Sequence, residues 1–456
     1  MQDGLWGSEP RWTVEPDEAA IKQTVTSSLN PGQTAAPGDT IKFLAQGAFN
    51  KVYLVTLAEK QAEVIARVTL PVDPKWKTLS EVATLDWVCR NTTLPVPEVF
   101  AYQADRASAI GFEWIAMSKM PGASLGDRWR DVSFSAKQEI ARRLAVFCSE
   151  AFRAQLRGIG SLFLDDAEAS VPTVSSQGPQ TTPGHASFRV LSSVAAEFTW
   201  DRRIFADVSR GPFASSQEWL LARLSVAETD CRERLRRFQS KNSPALGQVD
   251  GADKTKNKEE DKEEEEDEVD ENDLADLQNT MDIIVRLKRH LGDFFPPPAD
   301  VEPTMILHDD LGRQNTLVDD DGNLTAVIDW ESISAVPLWM ACQIPPLFQS
   351  KPSNEEPIKV NFRHDADGNV IDLFWEHLDN YELTQLRGVF LGEMEKLQPE
   401  WVAIFEASQR QRDFDLAVTC CNDPFMIQRI REWLDDVEKG VEGFEGLEER
   451  IDNASL

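Results

Sequence analysis

Between residues 38 and 120 the apolar positions fall in short runs, many of them alternating with polar ones. Ile41-Lys42-Phe43-Leu44, Lys51 to Leu57 and Ala62 to Val68 are rich in β-branched and aromatic residues, which fit a pleated, half-buried surface. Val99 to Tyr102 and Glu113 to Met117 read the same way, so a small antiparallel sheet is expected. One helix interrupts it at residues 79 to 90, with Val82, Leu85, Val88 and Cys89 on its apolar side. Lys119-Met120-Pro121-Gly122 then breaks the pattern. Beyond it, apolar residues recur at i, i+3 and i+4, predicting helices over Ser135 to Leu156, Ser216 to Gln239, Ala275 to Gly292, Tyr381 to Leu397 and Pro424 to Gly440.

The expected organisation is α+β in two lobes: a packed leader at 1–37, a β-rich N-lobe at 38–120 and a mainly helical C-lobe at 121–456. Two inserts interrupt the C-lobe, near 170–187 and 243–274. The first is rich in Ser, Thr, Pro and Gly. The second contains an acidic run, and neither carries enough apolar residues to bury a face, so both are expected to be disordered.

The formal net charge of −31 argues against a nucleic-acid partner, which would need clustered Lys and Arg. Residues 251–276 hold 14 acids and 4 lysines, so about a third of that charge is local. A solvated insert accounts for it, and a docking tail for a basic partner protein is the alternative. No run approaches a membrane span, and the first residues carry no charged-then-apolar signal pattern, which together give a cytoplasmic expectation. Six cysteines without CxxC spacing and five histidines point to reduced structural thiols and away from a zinc site.

The candidate chemistry lies in His308-Asp309-Asp310-Leu311-Gly312-Arg313-Gln314-Asn315 and in Ile328-Asp329-Trp330. Alone, H-x-D-x4-N could be a helix-capping turn. Here Thr316 to Val318 and Leu324 to Ile328 read as two short strands around the turn Asp319-Asp320-Asp321-Gly322-Asn323, and that hairpin returns Asp329 to Asn315. Phosphoryl transfer from ATP needs a carboxylate to receive the acceptor's hydroxyl proton and oxygen ligands for Mg²⁺; Asp310, Asn315 and Asp329 are of those types. In the N-lobe, Gln46-Gly47-Ala48-Phe49-Asn50 lies between two strands, where a loop can cover phosphates. Arg67 has an apolar surround on the next strand, and Glu81 on the following helix is its candidate partner. The two would grip the α and β phosphates, with Arg in the place of Lys.

The chain resembles the aminoglycoside phosphotransferase and choline kinase superfamily, in its fungal branch with the altered inheritance of mitochondria group. The resemblance rests on Gly47 to Val52, Ala66-Arg67-Val68, Ser80 to Thr84, Pro95-Val96-Pro97, Met120-Pro121-Gly122, His308 to Asn315 and Ile328 to Glu331. It implies ATP between the lobes, with Gly47, Ala48, Phe49, Asn50, Arg67, Glu81, Met117 and Met120 on the nucleotide. Asp310, Asn315 and His308 are the implied catalytic residues, and Asn315 and Asp329 the magnesium ligands. Asp309 stands where many relatives have glycine, and Ser118 where the hinge is usually acidic. No Ala-Pro-Glu follows Asp329, which disfavours a protein substrate. The resemblance implies a protein-kinase-like two-lobe fold and, as the acceptor, a small-molecule hydroxyl compound bearing an amine, with Glu331 and the acids of the C-lobe helices walling its pocket. A kinase-like module that binds nucleotide or a partner protein without catalysis is the alternative. The resemblance also implies a mitochondrial location, against the cytoplasmic expectation.

Overall fold

A computed structural model describes residues 2–4, 7–9, 11–165, 187–242, 271–365, 369–440 and 443–454. The expected inserts fall mostly outside these residues, except that residues 271–274 already belong to a helix, Glu271–Phe294. The chain forms two compact units. One comprises Met1–Trp219 with Pro297–Gln409, and the other Leu220–Pro296 with Arg410–Leu456.

In the first unit, strands β1 (Thr40–Gln46), β2 (Asn50–Leu57), β3 (Ala62–Thr69), β4 (Val99–Gln103) and β5 (Glu113–Ser118) form one antiparallel sheet in the order β1-β2-β3-β5-β4. The alternation in β2 buries Tyr53, Val55 and Leu57 on one face. That face packs on α1 (Glu18–Leu29), whose Ile21 and Val25 are fully buried in the same cluster as Val64, Val68 and Trp114. Asp17 begins α1 by accepting from the Ala19 amide at 2.8 Å. Helix α1 is thus docked on the sheet.

Helix α2 (Trp76–Asn91) begins three residues before the sequence pattern places it. Its preceding residue, Lys75, has a left-handed φ of 72° and offers no side-chain cap. The cap comes from β5 instead: Glu113 accepts from the Lys75 amide at 2.9 Å and from Thr78 Oγ1 at 2.5 Å. A buried carboxylate at this end also complements the helix dipole. This remote cap fixes the start of the helix that carries Lys77 and Glu81.

Past Gly122, the Phe134–Arg153 helix packs on the long Asp372–Leu397 helix. The C-lobe also holds a five-stranded antiparallel sheet of Leu156–Arg157, Gly160–Leu164, Phe188–Leu191, Pro303–Leu307 and Ser334–Pro337. Its central strands read as continuous buried runs without period-two alternation, which hides them among helical stripes. The Thr316–Val318 and Leu324–Val327 hairpin forms as expected, with Asp319 Oδ1 accepting from the Asp321 and Asn323 amides across the turn. Ala123–Ser124 adds a third strand to it.

The second unit is helical and packs Phe294, Phe295, Phe414 and Trp433 at its centre. Arg286 joins two of its helices by bonds of 2.9 Å to Glu438 and 2.6 Å to Asp435. Among the described residues, no helix is long and apolar enough to cross a membrane. The six cysteines are free thiols.

Candidate active site

The strand Pro303–Leu307 delivers His308 into the core and leaves Asp309 and Asp310 facing solvent. Burial keeps the His308 imidazole neutral by lowering its pKa, its Nε2 lies 3.2 Å from the Ile328 carbonyl, and its ring meets Trp330 edge-on at 4.7 Å. The histidine therefore ties the Asp310 loop to the backbone just before Asp329. Asn315 Nδ2 donates to Asp310 Oδ2 at 2.7 Å and to the Asp310 carbonyl at 2.9 Å. Both amide protons point at Asp310, which leaves Asn315 Oδ1 as an acceptor. The Ile328 amide donates to the Asn315 carbonyl at 2.9 Å, so the hairpin does bring Asn315 beside Asp329.

Arg313 braces this loop from behind. Its guanidinium stacks 3.7 Å from the Trp129 ring centre and donates to Asp379 at 2.9 Å, while Trp129 Nε1 donates to the same carboxylate at 2.8 Å. On the other side, Ser124 Oγ reaches Gln314 at 2.9 Å, and the Gly126 amide reaches the Arg313 carbonyl at 3.0 Å.

Asp329 has a left-handed φ of 66°, a conformation that a non-glycine residue holds only where its surroundings impose it. Its side chain keeps a solvent-facing edge, yet the surrounding protein desolvates its carboxyl and the charge of Glu331 adds to this, so its pKa is raised against the pull of Arg67 and Lys77. Arg67 Nη1 stands 3.7 Å from Asp329 Oδ1. Among the described residues, no group of three or more His, Cys, Asp or Glu could hold a metal alone. Asn315 Oδ1 and the Asp329 carboxylate instead make a partial set of hard oxygen donors. Such a set suits a magnesium ion that completes its shell with phosphate oxygens and water.

On the N-lobe side, Arg67 of β3 is ion-paired with Glu81 of α2, as the sequence pattern predicts. Sequence reasoning missed Lys77, which is buried to 4% exposure one turn before Glu81 and paired with Glu331. Burial lowers the Lys77 pKa against the pull of Glu331. Glu331 does not face the acceptor side as the sequence suggested. Its carboxylate turns to Asn50 Nδ2 at 2.7 Å, to Lys77, and to Arg67 Nη1 at 3.9 Å. Burial alone would raise its pKa, but these partners hold it down to about 2.

These groups open on a cleft of about 380 Å³ lined by Gly47, Asn50, Arg67, Glu81, Met117 to Met120, Asn315 and Asp329. Val52, Ile65, Leu85 and Leu317 supply apolar walls, and the Ser118 amide is already used by the Glu98 carbonyl. A side chain added at Gly47 would meet nothing within 4 Å, so the fold itself leaves that space open. Ala48 is exposed at the loop tip, and Phe49 packs edge-on at 5.3 Å against Trp200, away from the cleft lining. Beyond Asp310 lie further acids. Asp309 keeps a solvent-facing edge, yet the surrounding protein desolvates its carboxyl and Glu197 and Asp310 add negative charge, so it is pushed up to about 6. Glu197 accepts from Trp219 Nε1 at 3.1 Å, and Trp219 lies 6.4 Å from Trp339 between ring centres.

Comparison with known proteins gives this arrangement its place. The model of the phosphotransferase enzyme family matches residues 40–340. The chain belongs to this family. Among curated members, a subtelomeric hrmA-associated cluster protein of Aspergillus fumigatus is 32% identical over 37% of the chain, a stretch that spans only 32% of the relative's length. The altered inheritance of mitochondria protein 9 of Candida glabrata, named as mitochondrial, is 21% identical over 86% of the chain and 65% of that relative. Solved structures with a similar fold include an ethanolamine kinase of Plasmodium vivax, at TM-score 0.42 and 10% identity, covering 96% of this chain and 86% of that one. An aminoglycoside 2'-phosphotransferase in complex with GDP matches at TM-score 0.36 and 13% identity, over 92% and 97% of the two chains. The α+β, kinase-like two-lobe fold of this family member agrees with the sequence reading.

Proposed function

We propose that this phosphotransferase moves the γ-phosphate of ATP, with Mg²⁺, to a hydroxyl of a small amine-bearing molecule. The observation that carries the reading is the convergence on one cleft of Asn315, of Asp329 in its imposed backbone conformation and of the Arg67–Glu81 pair, with Asp310 held at its edge by Asn315. A bound magnesium ion would offset the charge of the triphosphate, with Asn315 Oδ1 and Asp329 as its protein ligands. Arg67, fixed by Glu81, presents a permanent cation to the phosphates. Asp310 orients the acceptor hydroxyl and takes its proton, and Asn315 Nδ2 keeps that carboxylate aimed. His308, buried and bonded to the Ile328 carbonyl, acts through position, because it touches the backbone and not the reacting atoms.

Support for an amine on the acceptor is electrostatic. Asp309, Asp310 and Glu197 set negative charge on the proposed acceptor side, which favours a cation by Coulomb attraction, just as desolvation and then these charges favour the protonated Asp309 carboxyl. The mitochondrial names of several relatives set a mitochondrial location beside the cytoplasmic one read from the sequence.

The test is thermal melting with ATP, with and without Mg²⁺, for the wild type and Asp329→Asn, followed by turnover assays on amino-alcohols and aminosugars. A Mg²⁺-dependent rise in Tm that Asp329→Asn loses is expected. Asp310→Ala should keep that rise while turnover falls by about 10²- to 10⁴-fold. Nucleotide binding without turnover on any acceptor would favour a non-catalytic nucleotide-binding module, and no nucleotide binding at all would reject the kinase reading in favour of a module that binds a partner protein.

A further inference from the structure

Glu331 is the one carboxylate of the cleft network whose setting the proposed chemistry leaves unexplained. Three donors from three elements converge on it: Asn50 Nδ2 from the start of β2 at 2.7 Å, Lys77 Nζ from α2, and Arg67 Nη1 from β3 at 3.9 Å. Asn50, Arg67 and Lys77 are all buried, at 8%, 7% and 4% exposure. Asn50 Oδ1 is occupied by Thr69 Oγ1 at 2.8 Å, which fixes the amide with its protons toward Glu331. Arg67 is oriented from its other side by Glu81. The result is a preformed cradle of N–H donors with two positive charges. It borders the cleft through Asn50 and Arg67, next to the open space at Gly47.

Buried cations are stable only with an anion beside them, and here the chain supplies its own. A carboxylate and a phosphate present the same kind of charged oxygen to such donors. We propose that Asn50, Arg67 and Lys77 form a phosphate subsite of the nucleotide cleft, and that Glu331 occupies it until a phosphate displaces the carboxylate. This rests on the nucleotide reading above and adds Lys77 to the phosphate-binding residues. The side chain of Glu331 retains 15% exposure, so it has a path out of the cradle. The triphosphate then replaces one anion with another, and the two buried cations never lack a partner.

The experiment is titration calorimetry with ATP, with Mg-ATP and with inorganic tripolyphosphate on the wild type, Glu331→Ala, Glu331→Gln and Glu331→Ala/Lys77→Met, each checked for folding by thermal melting. Glu331→Ala should bind Mg-free ATP and tripolyphosphate at least about tenfold more tightly than the wild type, and Glu331→Gln by a smaller factor. Adding Lys77→Met should reverse the gain. Should the wild type bind nucleotide while Glu331→Ala and Glu331→Gln bind it equally or more weakly, the carboxylate serves the nucleotide or merely fixes Lys77, and this inference alone falls. A gain that Lys77→Met leaves untouched removes Lys77 from the subsite. If no protein in the series binds any of the three probes, the nucleotide reading falls with it.

Discussion

The bond from His308 to the Ile328 carbonyl joins the loop that holds Asp310 to the segment that holds Asp329, and His308→Phe isolates its contribution. The phenyl ring keeps the edge-on contact with Trp330, an interaction of about 0.5–1.5 kcal/mol, so only the hydrogen bond and the titration are lost. Leaving a carbonyl unpaired costs about 1–3 kcal/mol, and because Ile328 is half-buried, water can reach it and the lower end applies. At pH 8 the variant should therefore be about 1 kcal/mol less stable. The pH dependence has a definite sign. Burial lowers the folded-state pKa of His308 below the ordinary 6.5, so the folded protein binds fewer protons than the unfolded chain. Stability from the neutral imidazole is present above 6.5 and lost as the pH falls from there toward the lowered value, with a slope of at most about 1.4 kcal/mol per pH unit. Phenylalanine has no such loss. Urea denaturation at pH 8 and pH 5.5 should show the wild-type advantage shrinking or reversing at the lower pH. An advantage that stays constant or grows on acidification would refute the account of His308 as a buried neutral donor.

Two glycine substitutions separate fold from site. Gly122→Ala should cost about 2 kcal/mol or more, because the new Cβ would lie 2.4 Å from the Val318 carbonyl oxygen at a φ of 101°, a region that itself costs about 1–2 kcal/mol for a non-glycine residue. Calorimetric melting checks it, and an unchanged Tm would show that the Pro121-Gly122 link can relax. Gly47→Val should leave Tm unchanged, since nothing lies within 4 Å of the added carbon, yet weaken Mg-ATP binding by about tenfold or more, equivalent to about 1.4 kcal/mol. Equal affinity in that variant would remove the β1–β2 loop from the nucleotide site.

The hairpin that carries Asn315 and Asp329 was legible because its turn is written in local chemistry, where Asp319 bonds backbone amides two and four residues ahead. Arg67 stood out as a charge in an apolar strand, and its partner followed from the order of elements. What stayed hidden depended on contacts distant in sequence. The start of α2 is set by Glu113, which reads locally as one more strand residue, and without that cap the helix seemed to begin after Lys77. Yet Lys77 and Glu81 are four residues apart, hence on one helix face, and that spacing was a usable signal. The C-lobe sheet was masked by fully buried strands whose pattern does not alternate.

The orientation of Glu331 shows the limit of local reading most directly. The family resemblance put it with the acids of the acceptor pocket. In the structure the left-handed turns at Asp329 and at Ser332, with φ of 66° and 60°, bracket it and swing it toward β2, β3 and α2. The exchange alters the charge pattern of the site. Arg67 and Lys77 face Glu81, Asp329 and Glu331, so the proposed nucleotide side carries two cations against three carboxylates, while Asp310 and Glu197 add negative charge around Asp309. Moving Glu331 aside leaves this set with two cations against two carboxylates, so an incoming triphosphate meets one negative charge fewer. Under the proposed reading, the charge of Asp309, Asp310 and Glu197 favours a cationic acceptor without any further rearrangement.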